Sequence, residues 1–216
     1  MEEDYSDIAD KLSNFDDLNK MHYDNDLETY LDFGNHTEKV RLVCDYGEIV
    51  RVADEEPELR KVPHVGYVSF FPFMSKIIPP ESQILEQQLD LISDENIVWS
   101  DYGLLSLAKT SSLYMKWNSL HQPTYWRGPI WMNMNYLILS SLNHYSKVNG
   151  PYSNKARDIY EKLRSNLISN VVRNYAETGY IWEHYNQTEG TGEGGRDFTG
   201  WSSLILLIMS EQYPRL

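Results

Sequence analysis

The sequence predicts a mostly α-helical domain with one short β-hairpin-like insertion near residues 38–62, and three observations carry that expectation. From Gly66 onward, apolar residues recur at three- and four-residue intervals over long stretches. Loops rich in Trp, Tyr, Gly and Pro separate those stretches, and Gly and Pro punctuate helices. Only "YLDFGNHTEKVRLVCDYGEIVRVADEEPELRKV" mixes β-branched residues with turn formers, so it is the most strand-like part of the chain.

In chain order, Tyr5, Ile8, Ala9, Leu12, Phe15 and Leu18 follow helical spacing, which predicts a first helix broken near Asn14 and a short second one. After the insertion, helices are expected at 67–77, 80–93, 103–109, 128–147, 152–177 and 198–212. In the fifth of these, Ile159, Leu163, Leu167, Val171 and Tyr175 recur every four residues and mark one buried stripe. Ser153 is expected to cap its start and Gly179 to end it. The loops "VWSDYGLLSL", "PTYWRGPIW" and "YIWEHYNQTEG" fall between helices. If consecutive helical hairpins curve into a ring, those loops converge on one end and line one pocket, as in an (α/α) toroid.

A chain of 216 residues suits one domain with a core of ordinary size. Its 32 acidic and 19 basic residues give a net charge of -13, which argues against nucleic acid and anionic membrane surfaces as partners. No apolar run reaches the length of a membrane helix, and the acidic start lacks the order of a signal peptide. Cys44 is the only cysteine, so no intrachain disulfide framework exists. The histidines His22, His36, His64, His121, His144 and His184 are scattered without an HExxH pair, so no metal is expected, and no cofactor motif such as GK[ST] occurs. A GxSxG nucleophile elbow is also missing. Two glycosylation sequons begin at Asn35 and Asn186.

The aromatic content of 13% suits a core and equally suits faces that stack on sugar rings. In "TGYIWEHYNQTEGTGEGG", Glu183 stands among Tyr180, Trp182, His184 and Tyr185. It reads either as a solvated rim carboxylate or as a catalytic base, since surrounding rings exclude water and strengthen a base. The glycines that follow permit close approach to a ligand. In "PTYWRGPIWMNMNY", Arg127 offers a planar fork of donors for a carboxylate or sugar hydroxyls, and Trp126 and Trp131 offer flat apolar faces. A structurally paired Arg in an aromatic helix entry is the competing reading. Asn133 and Asn135 interrupt an apolar helix, and one of them is expected to face a pocket.

Together "GYVSFFPF", "WSDYGLLSLA", "PTYWRGPIWMNMNYLILSSLNHY", "TGYIWEHYNQTEGTGEGG" and "FTGWSSLILLIMSE", with "LDFGNHT" before them, resemble successive motifs of the mannosyl-oligosaccharide glucosidases (processing α-glucosidase I) of glycoside hydrolase family 63. The resemblance runs from about residue 30 to the C-terminus. It implies that residues 1–216 are the C-terminal part of an (α/α)6 toroid acting on the terminal α-1,2-linked glucose of the N-linked precursor oligosaccharide. It also implies the lumen of the endoplasmic reticulum as location. Members invert anomeric configuration with an aspartic acid and a glutamate base, and the base motif falls on Glu183. Trp126, Arg127 and Trp131 would then sit in the glucose pocket, flanked by Trp182 and Tyr185.

The family's acid lies in a loop of the type GLDDYPR. "NFDDLNK" at 14–20 keeps the paired aspartates but lacks the surrounding Gly, Tyr, Pro and Arg. The N-terminal β-sandwich, the first helix pairs and the membrane anchor have no counterpart either. The chain is therefore expected to carry the base without the acid, to hydrolyse poorly alone, to rely on the upstream half of the same enzyme, and to leave an apolar patch near Leu204–Ile208. The alternatives are a non-catalytic glycan-binding fragment and a trehalase-like (α/α)6 glycosidase.

Overall fold

The computed structural model describes residues 2–117 and 124–214, with the backbone alone for residues 2–4. Two helices open the chain, α1 (Glu2–Leu12) and α2 (Phe15–His22). The break expected near Asn14 is a helix cap, because the Asn14 side chain accepts the Asp17 N–H at 3.0 Å. The first hairpin is β1 (Tyr23–Asp24) and β2 (Thr29–Tyr30). The insertion follows as β3 (Phe33–His36), β4 (Val40–Asp45), β5 (Glu48–Ala53) and β6 (Glu58–Lys61). Strand β4 pairs with β5 over six register positions, and β3 pairs with β6, so one antiparallel ribbon sits on another's end. The expected insertion is therefore present as two nested strand pairs.

The helical region begins with a 3-10 turn at Tyr67–Phe70 and the short α3 (Phe71–Met74), in place of one helix over 67–77. Helix α4 (Gln83–Ser93) is capped by Ser82, whose hydroxyl accepts the Ile84 N–H at 3.2 Å. The helix expected at 103–109 does not form. That stretch is the hairpin β7 (Trp99–Ser100) and β8 (Gly103–Leu104), continued by bridges from Leu105 to Ile130 and from Leu107 to Gly66. Leu104 and Leu105 are both fully buried, so this extended run is apolar on both faces, and a short continuous apolar run cannot be told from a helix by period. Gly103, at φ +142, also leaves the helical region, and any side chain there would collide with Leu167 and Ile130.

Helix α5 (Met132–Tyr145) starts four residues later than expected, because Ile130 is pinned as a bridge between Leu105 and Tyr185. Helix α6 (Ser153–Thr178) packs along it. Ile159, Leu163, Leu167 and Val171 are buried as a stripe, each contributing roughly 1.5–3 kcal/mol of apolar burial. Tyr175 lies outside that stripe and is exposed, since the drift of a four-residue repeat has carried it off the buried face. Ser153 is the first helical residue and not the cap; the preceding Tyr152 holds that position without a side-chain bond. Gly179 ends the helix in the left-handed conformation at φ +78, donating to Tyr175 O at 2.8 Å.

The last hairpin is β9 (Trp182–Tyr185) and β10 (Gly192–Arg196), followed by a 3-10 turn at Trp201–Leu204 and α7 (Ile205–Met209) in place of one helix over 198–212. Ile205 and Ile208 are buried against α5 and α6, whereas Leu206, Leu207 and Met209 are exposed. One contiguous core runs from Tyr23 to Ile208 and includes residues of α3, α4, α5, α6 and β9. No described helix is long and apolar enough to cross a membrane.

Candidate active site

The site is assembled where three extended segments meet. Ile130 exchanges both backbone hydrogen bonds with Tyr185, at 2.8 and 3.0 Å. This ladder ties the aromatic loop before α5 directly to β9. A polar knot behind it fixes the third segment. Asn135 accepts the Leu104 N–H at 2.8 Å and donates to Tyr67 Oη, Leu104 O and Trp131 O, while the Tyr67 hydroxyl donates to Leu104 O at 2.6 Å. Burial pushes the Tyr67 hydroxyl pKa up, so it stays a donor. Asn135 is thus fully enclosed and structural, and the expectation that an α5 asparagine faces a pocket does not apply to it.

Glu183 lies on β9, half-buried, within a strand and not in a free lip. Both carboxylate oxygens have donors: Oε1 accepts from the Tyr125 hydroxyl and Oε2 from the Gly195 N–H, each at 3.0 Å. Its carbonyl accepts from Trp201 Nε1 at 2.7 Å. The opposing glycines make room for the carboxylate. Gly194 has φ +77, and a Cβ there would lie 2.7 Å from Glu183 Oε2. A Cβ at Gly192 would run into the Trp182 indole.

Helix α6 holds the far end of this hairpin. Asn174 donates to Gly190 O and accepts from the Gly192 N–H, both at 2.8 Å, and Arg173 donates to Glu189 O. Asn186 donates to Glu193 at 2.9 Å, so the amide of the second sequon is already engaged.

The aromatic wall stands beside Glu183. Trp126 stacks on Trp131 with ring centroids 4.0 Å apart and planes 15° from parallel. Trp131 is completely covered and donates its indole N–H to Tyr125 O, whereas Trp126 is 40% exposed. Tyr125 lies edge-on to Trp131 at 4.7 Å and occupies the left-handed region at φ +41, a strained setting for a bulky residue. Burial, followed by the Glu183 hydrogen bond and charge, raises the Tyr125 pKa and keeps its proton on the oxygen that faces Glu183. His184 packs against Trp131, and burial lowers its pKa despite Glu193 at 3.6 Å and the neighbouring Glu183.

Of the residues expected from the sequence, the structure therefore brings Glu183, Trp126 and Trp131 together. Arg127 donates from Nη1 to Lys116 O and Trp117 O, tying down the preceding loop. Trp182 covers Gly192 and lies edge-on to Tyr180. Tyr185 is buried among core residues, with its pKa pushed up to about 12 by burial. Pro123 and His121 lie outside the described residues. Tyr125 and Trp201 complete the site without having been singled out, and Gly194 and Gly195 belong to the glycine run expected to permit close approach. Tyr125 stands in the quoted loop beside Trp126, which was the available signal. Away from this site, the fold also gathers His36, Glu38 and His64, a set the linear spacing does not suggest.

The C-terminal domain of glycosyl hydrolase family 63 matches residues 1–211. The chain is 71% identical to "Alpha-glucosidase 2" and 64% identical to "Mannosyl-oligosaccharide glucosidase GCS1", both of Arabidopsis thaliana, over 98% of its length. It spans 28% and 26% of those relatives. A "Probable mannosyl-oligosaccharide glucosidase" of Schizosaccharomyces pombe is 41% identical over 95% of the chain and 24% of that relative. Among solved structures, a GH63 mannosylglycerate hydrolase from Thermus thermophilus in complex with glucose superposes with a TM-score of 0.55 at 18% identity, covering 88% of this chain and 37% of that one. That last likeness concerns the fold.

Proposed function

Because this chain belongs to glycosyl hydrolase family 63 through its C-terminal domain, we propose that it forms part of an inverting α-glucosidase in which Glu183 is the general base. The observation that carries the reading is the Glu183 carboxylate, held on both oxygens by Tyr125 and Gly195, with Tyr125 lying edge-on to Trp126 and Trp131. A carboxylate offers about four lone-pair positions, so two donors orient it and leave positions for a water. Glu183 takes a proton from that water as its oxygen attacks the anomeric carbon, and the bond to the leaving oxygen breaks. Trp126 binds the apolar face of the glucose ring, backed by Trp131, with Trp182 beside Gly192, Arg127 fixing the preceding loop and Tyr185 supporting the wall from the core. Tyr125 positions the base.

The proton for the leaving oxygen must come from a second carboxyl about 6.5–9.5 Å from the first. The family's aspartate loop has no counterpart in these residues, so the acid is assigned to an upstream segment of the same enzyme. In this reading residues 1–216 form part of an (α/α)6 toroid completed by that segment. The substrate is the glucosylated N-linked oligosaccharide, cleaved at its terminal α-1,2-linked glucose in the lumen of the endoplasmic reticulum. Support comes from the names and identities of the glucosidase relatives. Asn186 lies three residues from Glu183, where a glycan would obstruct the pocket, so it is expected to be unmodified.

The test is proton NMR of the first product released by the full-length protein from a glucosylated oligosaccharide. The expected product is β-glucose, formed before mutarotation. Initial α-glucose overturns the assignment of Glu183 as a base, and cleavage of trehalose with no action on the oligosaccharide overturns the substrate.

A further inference from the structure

The chain carries a second constellation of chemistry-bearing side chains, away from Glu183. His36 ends β3, and the chain then bends at Glu38, whose carbonyl accepts the Val40 N–H at 3.0 Å. His64 reaches the same place from the segment after β6, the strand that pairs with β3. Each of the three contributes one ligand atom, and these atoms lie within 4.8 Å of one another. His36 Nε2 is buried and has no hydrogen-bond partner, a cost that folding does not normally leave uncompensated.

Outer partners support two of the three. Ser111 Oγ lies 3.1 Å from His64 Nδ1 and also accepts the Leu113 N–H, so it suits a proton held on Nδ1 and leaves the Nε2 lone pair free. That nitrogen lies 4.0 Å from Glu38 Oε1, which also accepts from the Ser112 hydroxyl at 3.4 Å. Two consecutive serines thus orient two members of the set, as outer-shell groups orient metal ligands.

We propose that His36, Glu38 and His64 form a divalent transition-metal site, best suited to zinc, that fastens the β3–β6 insertion to the body of the domain. Two imidazoles and a carboxylate are a familiar zinc donor set, with ligand distances near 2.0–2.2 Å and donors therefore about 3.4 Å apart. Glu38 is half-exposed and closes the remaining gap by a side-chain rotation. The cleft holding the set, about 450 Å³, includes Arg51, Val62 and Leu113. The adjoining cleft carries mixed charge, Glu55, Glu56 and Glu58 with Lys39 and Arg60, and Lys39 pairs with Glu55 at 3.3 Å. The insertion has reason to need such a fastening, since Leu42 and Leu59 are largely exposed and little apolar surface anchors it.

The test titrates the full-length protein, free of any affinity tag and stripped by a chelator, with zinc and with cobalt(II) as a coloured probe. Stoichiometric uptake is expected, with tetrahedral cobalt bands and a zinc-dependent rise in Tm. H36A and E38Q are each expected to weaken binding at least about tenfold and to abolish the rise in Tm. E38Q preserves shape at a half-exposed position, so it separates ligand loss from misfolding. Failure to bind either metal, or binding unchanged in E38Q and H36A, overturns the proposal.

Discussion

Two antiparallel hairpins in this molecule are built by opposite rules. The β4–β5 hairpin keeps an unbroken register from Val40↔Ala53 to Asp45↔Glu48, turns at Tyr46-Gly47 and carries Val40 and Val43 on one strand and Ile49, Val50 and Val52 on the other. Almost all of it is exposed. The β9–β10 hairpin pairs "WEHY" with "GEGGR", shifts register between Glu193 and Arg196, and owes its second strand to glycines that disfavour strands. Yet it packs against α6 and holds the Glu183 carboxylate beside the aromatic wall. The first is held by local pairing. The second is a poor strand sequence imposed by its surroundings, and the glycines are there because Trp182 and the Glu183 carboxylate occupy the space a side chain would need. Local rules yield where a site has to be built.

Substitutions in the two hairpins should therefore differ in kind. The largest effect is expected from E183Q in the full-length protein, which removes the proposed base and should lower turnover by about 10³-fold, within the range for general-base loss. Steady-state kinetics on a glucosylated oligosaccharide read this directly. Next comes G194A, where φ +77 and the 2.7 Å approach to Glu183 Oε2 force the carboxylate to shift. A displacement of that order costs up to about 10²-fold in turnover, while substrate affinity changes less. Y125F removes a single hydrogen bond to Glu183 at a partly exposed position, so the expected loss is about tenfold in kcat. At the small end, L42A in β4 should alter stability by no more than about 0.5 kcal/mol and leave kinetics unchanged, because Leu42 packs against little.

Acidity offers a further contrast. His184 and His144 have pKa values lowered chiefly by burial, so the unfolded chain binds protons more readily than the folded one. Their contribution to stability is complete above the ordinary histidine pKa of about 6.5 and is lost as pH falls from there toward the folded values. Thermal unfolding should show a falling Tm on acidification. Replacing His184 by Gln should flatten that slope, whereas L42A should leave it unchanged.

What is legible in the sequence follows the same division. The stripe Ile159, Leu163, Leu167 and Val171 announces α6, and Gly179 announces its end, because a long helix repeats its signal many times. The exposed insertion is visible through its β-branched residues and Gly47. Glu183 stands out by its ring neighbours, but its strand does not, since "GEGGR" has the composition of a loop. The short buried run at Gly103–Leu107 reads as a helix because both of its faces are apolar. Tyr125 is hidden for a different reason: its link to Glu183 spans 58 residues and depends on a loop held at an unfavourable φ. Asn174 looks like an ordinary polar helix residue, yet it clamps the glycine turn of the site. His64 belongs with His36 only once β3 and β6 have paired.

The most direct test of the central claim is a side-by-side measurement of turnover and oligosaccharide binding in the unsubstituted full-length protein and in its E183Q variant. The account predicts that turnover falls by about 10³-fold while affinity stays within a few-fold, since the amide keeps the shape of the wall but cannot accept a proton from water. Turnover within tenfold of the unsubstituted protein would contradict it.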